Sequence, residues 1–281
     1  MQVVETINEM RALRKKMEGT VGFVPTMGYL HEGHLTLVRR SREANENTVV
    51  SIFVNPTQFG PAEDFKKYPR DTEYDLARLE KEGVDVVFMP SAEAMYPRRY
   101  STYIQVKEVT NRLEGASRPG HFEGVATVVA KLFNIVQANQ SYFGQKDAQQ
   151  VVVIKIMAED LNFGTEVIVV PTVREEDGLA MSSRNVYLNI EERRAALVLY
   201  RSLLLAQQNW SNGVNDTESI RGEMRKLIES EPQAKIDYIS IASPDTLEEL
   251  NEAFQGALVS LAVRIGKTRL IDNIQLGLSK I

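Results

Sequence analysis

Apolar and polar positions succeed one another in residues 1–173 in blocks that predict strands and helices in alternation. Thr6 and Glu9 have capping-box spacing, which predicts a helix from there to Met17. Short apolar runs further on have strand length and are typical of parallel strands covered on both faces. The predicted strands are Thr20–Pro25, Thr48–Val54, Val84–Met89, Tyr142-Phe143 and Val167–Val173, and the predicted helices are Leu35–Ala44, Asp71–Glu82, Phe122–Ala138 and Asp147–Leu161. This alternation predicts an α/β fold with a parallel sheet.

After Val173 the pattern changes to long helical segments followed by short strands, which predicts a smaller α+β domain. Its predicted elements are helices Ile190–Trp210 and Thr217–Ser230 and strands Ile236–Ile241 and Ala257–Val263. We place the boundary near residues 173–178, so that the domains span 1–175 and 176–281. Gly266-Lys267-Thr268 has the end of a phosphate-binding P-loop, but Leu261 stands where that motif needs glycine. A hairpin turn is the better interpretation.

Composition narrows the class of protein. The chain has 281 residues, 43% of them hydrophobic and 25% charged, which is typical of a globular protein. Its net charge of −5 gives no general attraction to nucleic acid or anionic membranes, so neither is expected as a partner. Cysteine is absent, which excludes disulfides and thiol chemistry and fits a reducing compartment. With no secretory signal and no long apolar run, we expect a cytoplasmic protein.

Two of the three histidines fall in His31-Glu32-Gly33-His34, directly after a predicted strand and a Pro/Gly turn. A surface histidine pair or a partial metal site are alternatives, although zinc needs a further ligand and the spacing differs from H-E-x-x-H. A helix N-terminus offers N–H groups and a positive dipole end to a triphosphate, and Gly33 permits close approach. The imidazoles can stabilise charge on departing pyrophosphate.

This segment resembles the HxGH signature of the nucleotidylyl transferases. Further stretches, in order and spread over nearly the whole chain, resemble the pantothenate synthetase (pantoate–β-alanine ligase) family. These stretches are Val24–Gly28, Phe53–Phe59, Glu114–Phe122, Phe143–Gln150 and Asp177–Asn185. The resemblance implies that ATP and pantoate form an enzyme-bound pantoyl-adenylate with release of pyrophosphate. β-Alanine then displaces AMP to give pantothenate.

The same resemblance implies a Rossmann-like ATP- and pantoate-binding domain at 1–175 and an α+β lid at 176–281. It also implies Mg²⁺, with unknown ligands, and a homodimer through the N-terminal domain. His34, His31 and Lys146 are the implied catalytic residues. The implied ATP-binding residues are Met27, Gly28, Tyr29, Leu30, His31, Glu32, Gly33, His34, Gly144, Gln145, Lys146, Asp147, Val173, Met181, Ser182, Ser183 and Arg184.

Gln58, Gln150 and Asn55 are the residues implied to bind pantoate or β-alanine. Glutamine suits this role because the pantoate carboxylate must attack phosphorus, and a tight arginine clamp would blunt its nucleophilicity. Asn55 precedes Pro56 and should end a strand at the sheet's carboxyl edge, where ligands bind. Glu114, Arg118 and His121 lie in another matching stretch, where an ion pair between Glu114 and Arg118 fits as well as ligand contact.

Two other functions remain open to the sequence: another nucleotidylyl transferase of the same fold, and a module that senses ATP without turnover. The acidic charge disfavours a tRNA substrate, and a sensor need not retain His31, His34 and Lys146 together. If an adenylate forms, it needs shielding from water. We expect the polar segment Gly60–Arg70 and the second domain to provide that cover.

Overall fold

The computed structural model describes residues 1–60, 65 and 68–278. The chain forms two compact units, the first from Met1–Gly144 and Gln149–Val170 and the second from Gln145–Ala148 and Pro171–Ile281. The expected cover at Gly60–Arg70 lies partly outside the described residues, at positions 61–64 and 66–67. The lid role of the C-terminal domain stays a prediction. No helix in the described part of the chain is long and apolar enough to cross a membrane.

A parallel sheet forms the centre of the first unit, which confirms the predicted α/β class. Its strands are β1 (Gln2–Val4), β2 (Val21–Thr26), β3 (Asn47–Ile52), β4 (Val86–Phe88), β5 (Gln140–Gly144) and β6 (Glu166–Val170), in the spatial order β1-β4-β3-β2-β5-β6. The chain moves outward from β2 through β3 to β4 and then returns to place β5 on the other side of β2. Ligands bind at such a reversal of strand order, beyond the carboxyl ends of the strands.

The helices of this unit largely follow the predicted boundaries. They are α1 (Ile7–Arg14), α2 (Glu32–Ala44), α3 (Thr72–Lys81), α4 (Ala92–Met95), α5 (Leu113–Ser117), α6 (His121–Val136) and α7 (Ala148–Asp160). The Thr6–Glu9 capping box is confirmed, because the Thr6 hydroxyl accepts the Glu9 N–H at 3.2 Å and the Glu9 carboxylate accepts the Thr6 N–H at 3.0 Å. The predicted extension of this helix to Met17 is wrong, since α1 ends at Arg14.

Helices α2 and α3 pack their apolar faces against the middle of the sheet. Leu35 and Val38 of α2 and Leu79 of α3 belong to one buried cluster with Val24 of β2 and Val50 of β3. Each of these side chains is at most 3% exposed. Full burial of a leucine or valine contributes about 1.5–3 kcal/mol, so this cluster fixes both helices on the sheet. The turn between β2 and α2 is thereby fixed at both ends.

The described part of the second unit combines α-helices with an antiparallel sheet. Its elements are α8 (Ile190–Ala195), α9 (Leu197–Ser211), α10 (Thr217–Glu229), β7 (Ala234–Ala242), β8 (Leu258–Ile265) and β9 (Thr268–Gln275), with strand order β7-β8-β9. Leu203 of α9 and Met224 of α10 are buried against Leu261 of β8. Gly266 and Lys267 join β8 to β9, so the predicted hairpin turn is confirmed.

Two predicted boundaries are wrong for physical reasons. The single helix Ile190–Trp210 is two helices, because at Ala196 the backbone stays helical (φ −59°, ψ −21°) while its carbonyl accepts the Leu199 N–H in a tighter turn. Apolar periodicity therefore continues through the break. The strand predicted to Val173 ends at Val170, because Pro171 has no N–H for the ladder.

Candidate active site

The turn after β2 leads directly into α2 and carries the first group of candidate residues. Gly28 and Tyr29 have positive φ angles of 80° and 53°, a conformation that glycine adopts without cost. A Cβ atom at Gly28 would lie 2.9 Å from the Asp75 carboxylate, so the turn also needs the missing side chain. His31 then takes the N-cap position, and α2 begins at Glu32, three residues before the predicted start at Leu35.

A buried carboxylate holds this turn. The two oxygens of Asp75 accept the backbone N–H groups of Tyr29 and Leu30, each at 2.7 Å. Asp75 is 1% exposed, and burial raises the pKa of its carboxyl against the opposing effect of these two hydrogen bonds. Charge-assisted hydrogen bonds of this length are among the stronger ones in proteins. The path of the backbone into His31 is therefore fixed from α3.

The two histidines of the motif lie face to face at the start of α2. Their ring centroids are 4.1 Å apart and the planes are tilted by 33°. The His31 backbone N–H donates to His34 Nδ1 at 3.3 Å. Because a backbone N–H can only donate, Nδ1 of His34 carries no proton, and the neutral ring has its proton on Nε2. His34 thus has a fixed tautomer with Nε2–H as its donor.

A second turn, Pro56–Gln58, follows β3 and is organised by Asn55. The Asn55 amide nitrogen donates to Gln58 Oε1 and to the Gly124 carbonyl, both at 3.1 Å. Its oxygen accepts the Thr57 hydroxyl at 2.9 Å and the Tyr96 hydroxyl at 2.8 Å. Asn55 is 1% exposed. Its amide therefore acts on the orientation of Gln58 from inside the protein.

Gln58 lies where the first two turns meet. Its Nε2 is 3.2 Å from the Met27 sulfur, and its residue is 9% exposed. The structure thus brings a predicted pantoate residue next to a predicted ATP residue. Gly124 on α6 makes this possible: a Cβ there would lie 2.4 Å from the Thr57 carbonyl oxygen, so only glycine lets α6 pack so closely on the turn.

His121, at the start of α6, hydrogen-bonds to the backbone of the turn Pro56–Gln58. Its Nε2 lies 3.1 Å from an Arg118 guanidinium nitrogen, and its Nδ1 lies 2.8 Å from the Gln58 carbonyl oxygen. A guanidinium can only donate, so Nε2 of His121 accepts and Nδ1–H donates to the carbonyl. Arg118 and His121 therefore form a relay of hydrogen bonds that ends on the backbone of Gln58.

The consecutive residues Gln149 and Gln150 have different environments on α7. Gln149 is 6% exposed, and its amide nitrogen donates to the carbonyls of Val109 and Arg112 at 2.7 and 2.8 Å. Its oxygen accepts the Glu114 N–H at 2.9 Å. Gln150 is only half-buried. Gln149 therefore joins loops of the scaffold, and Gln150 is the one suited to meet a ligand.

The turn Gln145–Asp147, after β5, belongs to the second unit and is held by Asn273 of β9. The Asn273 amide nitrogen donates to the carbonyls of Gln145 and Lys146 at 3.0 and 2.9 Å, and its oxygen accepts the Gln145 side chain at 3.1 Å. The Lys146 side chain is 18% exposed, and its Nζ lies 3.5 Å from the Asp147 carboxylate.

The segment Met181–Arg184 is the other candidate of this unit. Ser182 caps a short 3-10 helix, Ser183–Tyr187, with its hydroxyl accepting the Arg184 N–H at 3.2 Å. The Met181 N–H donates to the Val173 carbonyl at 3.0 Å, which brings two predicted ATP residues together. All four residues from Met181 to Arg184 are half-buried. Ser182 therefore has a structural role as a helix cap, and this leaves a ligand role for the neighbouring groups open.

Comparison with known proteins identifies the family. The family described as pantoate-beta-alanine ligase matches residues 2–275 of the chain. The chain belongs to this family. A relative called pantothenate synthetase, from Herpetosiphon aurantiacus, is 60% identical over 275 residues, which cover 98% of this chain and 99% of the relative. Another of that name, from Acetivibrio thermocellus, is 56% identical over 277 residues, 98% of this chain and 99% of the relative.

Solved structures agree. A pantothenate synthetase from Thermus thermophilus has a TM-score of 0.94 and 50% identity, covering 98% of this chain and 99% of that one. A pantoate-beta-alanine ligase from Francisella tularensis, complexed with beta-gamma ATP and beta-alanine, has a TM-score of 0.81 and 37% identity, covering 98% and 97%. The resemblance is confirmed, and the chain is an enzyme of the ligase class.

Within this ligase, sequence reasoning missed the residues that support the site. Asp75, Tyr96 and Asn273 each bond to a candidate turn or to its cap, yet none lies in a stretch that carries the resemblance. A weak signal existed for Asp75, since a carboxylate inside the apolar face of a predicted amphipathic helix needs a partner. Tyr96 and Asn273 have no comparable local signal. The ligand contacts of the predicted residues stay predictions.

Proposed function

We propose that the chain condenses pantoate with β-alanine to give pantothenate, using ATP through a pantoyl-adenylate. The observation that carries this proposal is the juxtaposition at the strand ends of the first unit. There a histidine pair at a helix start adjoins a turn whose Gln58 side chain touches Met27. Donors for phosphate and a neutral amide for an organic acid are thus supplied by neighbouring segments.

In the proposed first step, a pantoate carboxylate oxygen attacks the α-phosphorus of ATP, and the bond to pyrophosphate breaks. Negative charge then grows on the departing pyrophosphate. The Nε2–H of His34 is the donor suited to that charge, because its tautomer is fixed before the ligand arrives. A preorganised donor of this kind needs no rearrangement in the transition state. His31, stacked on it at the helix N-terminus, adds a second imidazole.

Gln58 and Gln150 are proposed to orient pantoate. Asn55 occupies Gln58 Oε1 with a hydrogen bond, so Gln58 presents its Nε2 donors beside Met27. A neutral donor can hold a hydroxyl or one carboxylate oxygen while leaving charge on the other oxygen for attack. Asn55 is buried and is therefore proposed to act by positioning Gln58, in place of direct ligand contact.

In the proposed second step, the neutral amine of β-alanine attacks the acyl carbon of the adenylate. The acyl–oxygen bond breaks, AMP leaves with both electrons, and the new amide nitrogen loses its proton. The Francisella tularensis relative, complexed with beta-gamma ATP and beta-alanine, supports the choice of these two substrates. The acyl-adenylate needs shielding from water between the two steps.

Lys146, Ser182, Ser183 and Arg184 are proposed to contact phosphates of ATP, Lys146 as a point charge and Arg184 through its planar guanidinium. Mg²⁺ is proposed as the companion of ATP. The described residues contain no cluster of three metal-binding side chains, but Mg²⁺ on a nucleotide needs only one or two carboxylates beside the phosphates. Asp147 has the donor chemistry, with a side chain 47% exposed beside Lys146.

A homodimer through the N-terminal domain is proposed on family resemblance alone. Light scattering after size-exclusion chromatography tests it directly: a single species of twice the 31.7 kDa chain mass is expected, and a monomer at all concentrations would contradict it.

The reaction is tested by isotope exchange. Labelled pyrophosphate should enter ATP when pantoate is present and β-alanine is absent, because the first step is complete without the amine. Exchange that requires β-alanine would remove the adenylate. Exchange that requires a phosphate ester in place of pantoate would favour another nucleotidylyl transfer, and ATP binding with no exchange under any condition would favour a nucleotide sensor.

A further inference from the structure

Side chains of α3 bind both the N–H and the carbonyl of Leu30, the residue directly before the histidine motif. Leu30 donates its N–H to Asp75 at 2.7 Å, and its carbonyl accepts an Arg78 guanidinium N–H at 3.0 Å. Asp75 and Arg78 are three residues apart on α3 and therefore share a face. Leu30 is 3% exposed and directly precedes the N-cap residue His31.

The charges of Asp75 and Arg78 are compatible with a site that receives an anion. A buried carboxylate would repel a nearby triphosphate, but both oxygens of Asp75 accept backbone N–H groups. Arg78 adds a positive charge on the same face, and its guanidinium also lies 3.6 Å from the Glu32 carboxylate in the first turn of α2. The positive charge of Arg78 on α3 thus partly offsets the negative charge of Glu32 near the turn.

We propose that Asp75 and Arg78 are positioning residues that set the start of α2 for ATP. They act through the backbone of Tyr29 and Leu30 and have no contact with the reacting atoms. This inference rests on the proposed function, since it assigns the ATP-binding role to the histidine motif. The reason for expecting a catalytic effect is geometric: a displacement of about 1 Å in a positioned group can cost on the order of 100-fold in rate.

Asp75→Asn is the decisive variant. An amide keeps the shape but has only one oxygen, so one of the two turn N–H groups loses its acceptor. We expect KM for ATP to rise and adenylate formation to slow, together by about 10–100-fold, with KM for pantoate at saturating ATP little changed. The control is Glu73→Gln, which removes the same charge from an exposed position two residues away on α3 and should match the parent.

Hydrogen exchange gives a readout that does not depend on activity. The amides of Tyr29 and Leu30 should exchange faster in Asp75→Asn than in Glu73→Gln, while amides of β3 stay protected in both. Unchanged exchange at the two amides, or faster exchange with ATP use like that of Glu73→Gln, would overturn the proposal. If the parent itself shows no pantoate-dependent pyrophosphate exchange, the proposed function fails, and ATP binding by these variants still decides the positioning claim.

Arg78 provides a second route if Asp75→Asn does not fold. Its side chain is 26% exposed, so replacement there spares the core. Arg78→Gln should raise KM for ATP several-fold, and Arg78→Lys, which keeps a charged donor in reach of the Leu30 carbonyl, should restore most of the parent value. Equal kinetics for Arg78→Gln and the parent would contradict the positioning role of the hydrogen bond from Arg78 to the Leu30 carbonyl.

Discussion

Two turns that follow parallel strands in this chain are held by opposite chemistry. In Gly28–Leu30, after β2, backbone N–H groups are taken by the carboxylate of Asp75. In Gln145–Asp147, after β5, backbone carbonyls are taken by the amide of Asn273. The first support is 45 and 46 residues away in the chain, and the second is 127 and 128 residues away.

We propose that the difference reflects two ways in which a turn can be prepared for phosphate. The Asp75 carboxylate already accepts the N–H groups of the first turn, so the ligand is proposed to meet the groups that follow it, His31, His34 and the start of α2. In the second turn, the Asn273 amide covers carbonyl oxygens that would repel an anion, and Lys146 is proposed to supply the charge for phosphate. The first turn is thus proposed to act by geometry, and the second by charge.

Among changes to the first turn and the helix start that follows it, His34→Ala should give the largest effect. It removes the donor proposed to face the leaving pyrophosphate, and loss of one such donor costs about 10²–10³ in rate. Single-turnover measurement of pantoyl-adenylate should show this loss, with ATP affinity changed less and thermal unfolding unchanged. His31→Ala should be similar or milder. A folded His34→Ala protein that forms adenylate at the parent rate would end the role assigned to the first turn.

Substitution of glutamines in the first unit separates residues proposed to contact pantoate from one that supports the scaffold. Gln58→Ala and Gln150→Ala should each weaken pantoate use by about 1–3 kcal/mol, because polar partners on pantoate lose a hydrogen bond. Gln149→Ala is the matched control one position away, and it should lower the free energy of unfolding without raising KM for pantoate. Steady-state kinetics with urea unfolding separates these outcomes. A rise in KM for ATP alone would show that Gln58 and Gln150 contact ATP and not pantoate.

Asn273→Asp tests the support of the second turn. The aspartate keeps the shape but loses both N–H donors and puts a negative charge near two carbonyls. We expect the free energy of unfolding to fall by about 1–3 kcal/mol and the amides of Gln145 and Lys146 to exchange faster. Asn251→Asp, at an exposed position of the same unit, is the control. Equal unfolding curves for the two variants would show that Asn273 does not hold the turn.

Tyr96, which donates to Asn55, gives the smallest predicted effect and a dependence on pH. Burial raises the pKa of Tyr96 to about 12. Unfolded tyrosine ionises near pH 10, so the folded protein holds this proton more tightly. The resulting stability is complete below about pH 10 and is lost as the pH rises to about 12. Phenylalanine cannot ionise.

Between about pH 9 and about pH 11, the parent should therefore lose more free energy of unfolding than Tyr96→Phe does. The exposed Tyr103→Phe should follow the parent. Parallel stability curves for the parent and Tyr96→Phe would show that the hydroxyl is not buried against Asn55. Urea unfolding at the two pH values is the measurement.

Local patterns were sufficient to predict much of the first unit. The helix predicted at Asp71–Glu82 spans Thr72–Lys81, with Asp71 as its N-cap and Glu82 as its C-cap, because capping and apolar spacing are both encoded within a dozen residues. The helix predicted from Leu35 begins at Glu32, because apolar spacing starts only at Leu35 while the cap lies at His31. By contrast, β1 (Gln2–Val4) was missed because it has only two adjacent apolar residues, whereas the equally short β4 lies within a longer apolar segment.

The supports of the candidate site could not be predicted because they depend on contacts distant in sequence. Tyr96 reaches Asn55 across 41 residues, and Asn273 reaches Lys146 across 127. Nothing in the sequence around either residue distinguishes it from a surface tyrosine or a strand asparagine. The same limit applies to Gln149 and Gln150, which are identical residues adjacent in sequence but have different surroundings in the fold.

The most direct test of the account follows the oxygen of pantoate. If a pantoate carboxylate oxygen attacks the α-phosphorus and β-alanine then breaks the acyl–oxygen bond, that oxygen leaves with AMP. Pantoate labelled with oxygen-18 in its carboxylate should therefore give AMP with one labelled oxygen in its phosphate, and pyrophosphate with none, as read by mass spectrometry. Label in inorganic phosphate, or AMP without label, would contradict the adenylate and with it the role proposed for His34.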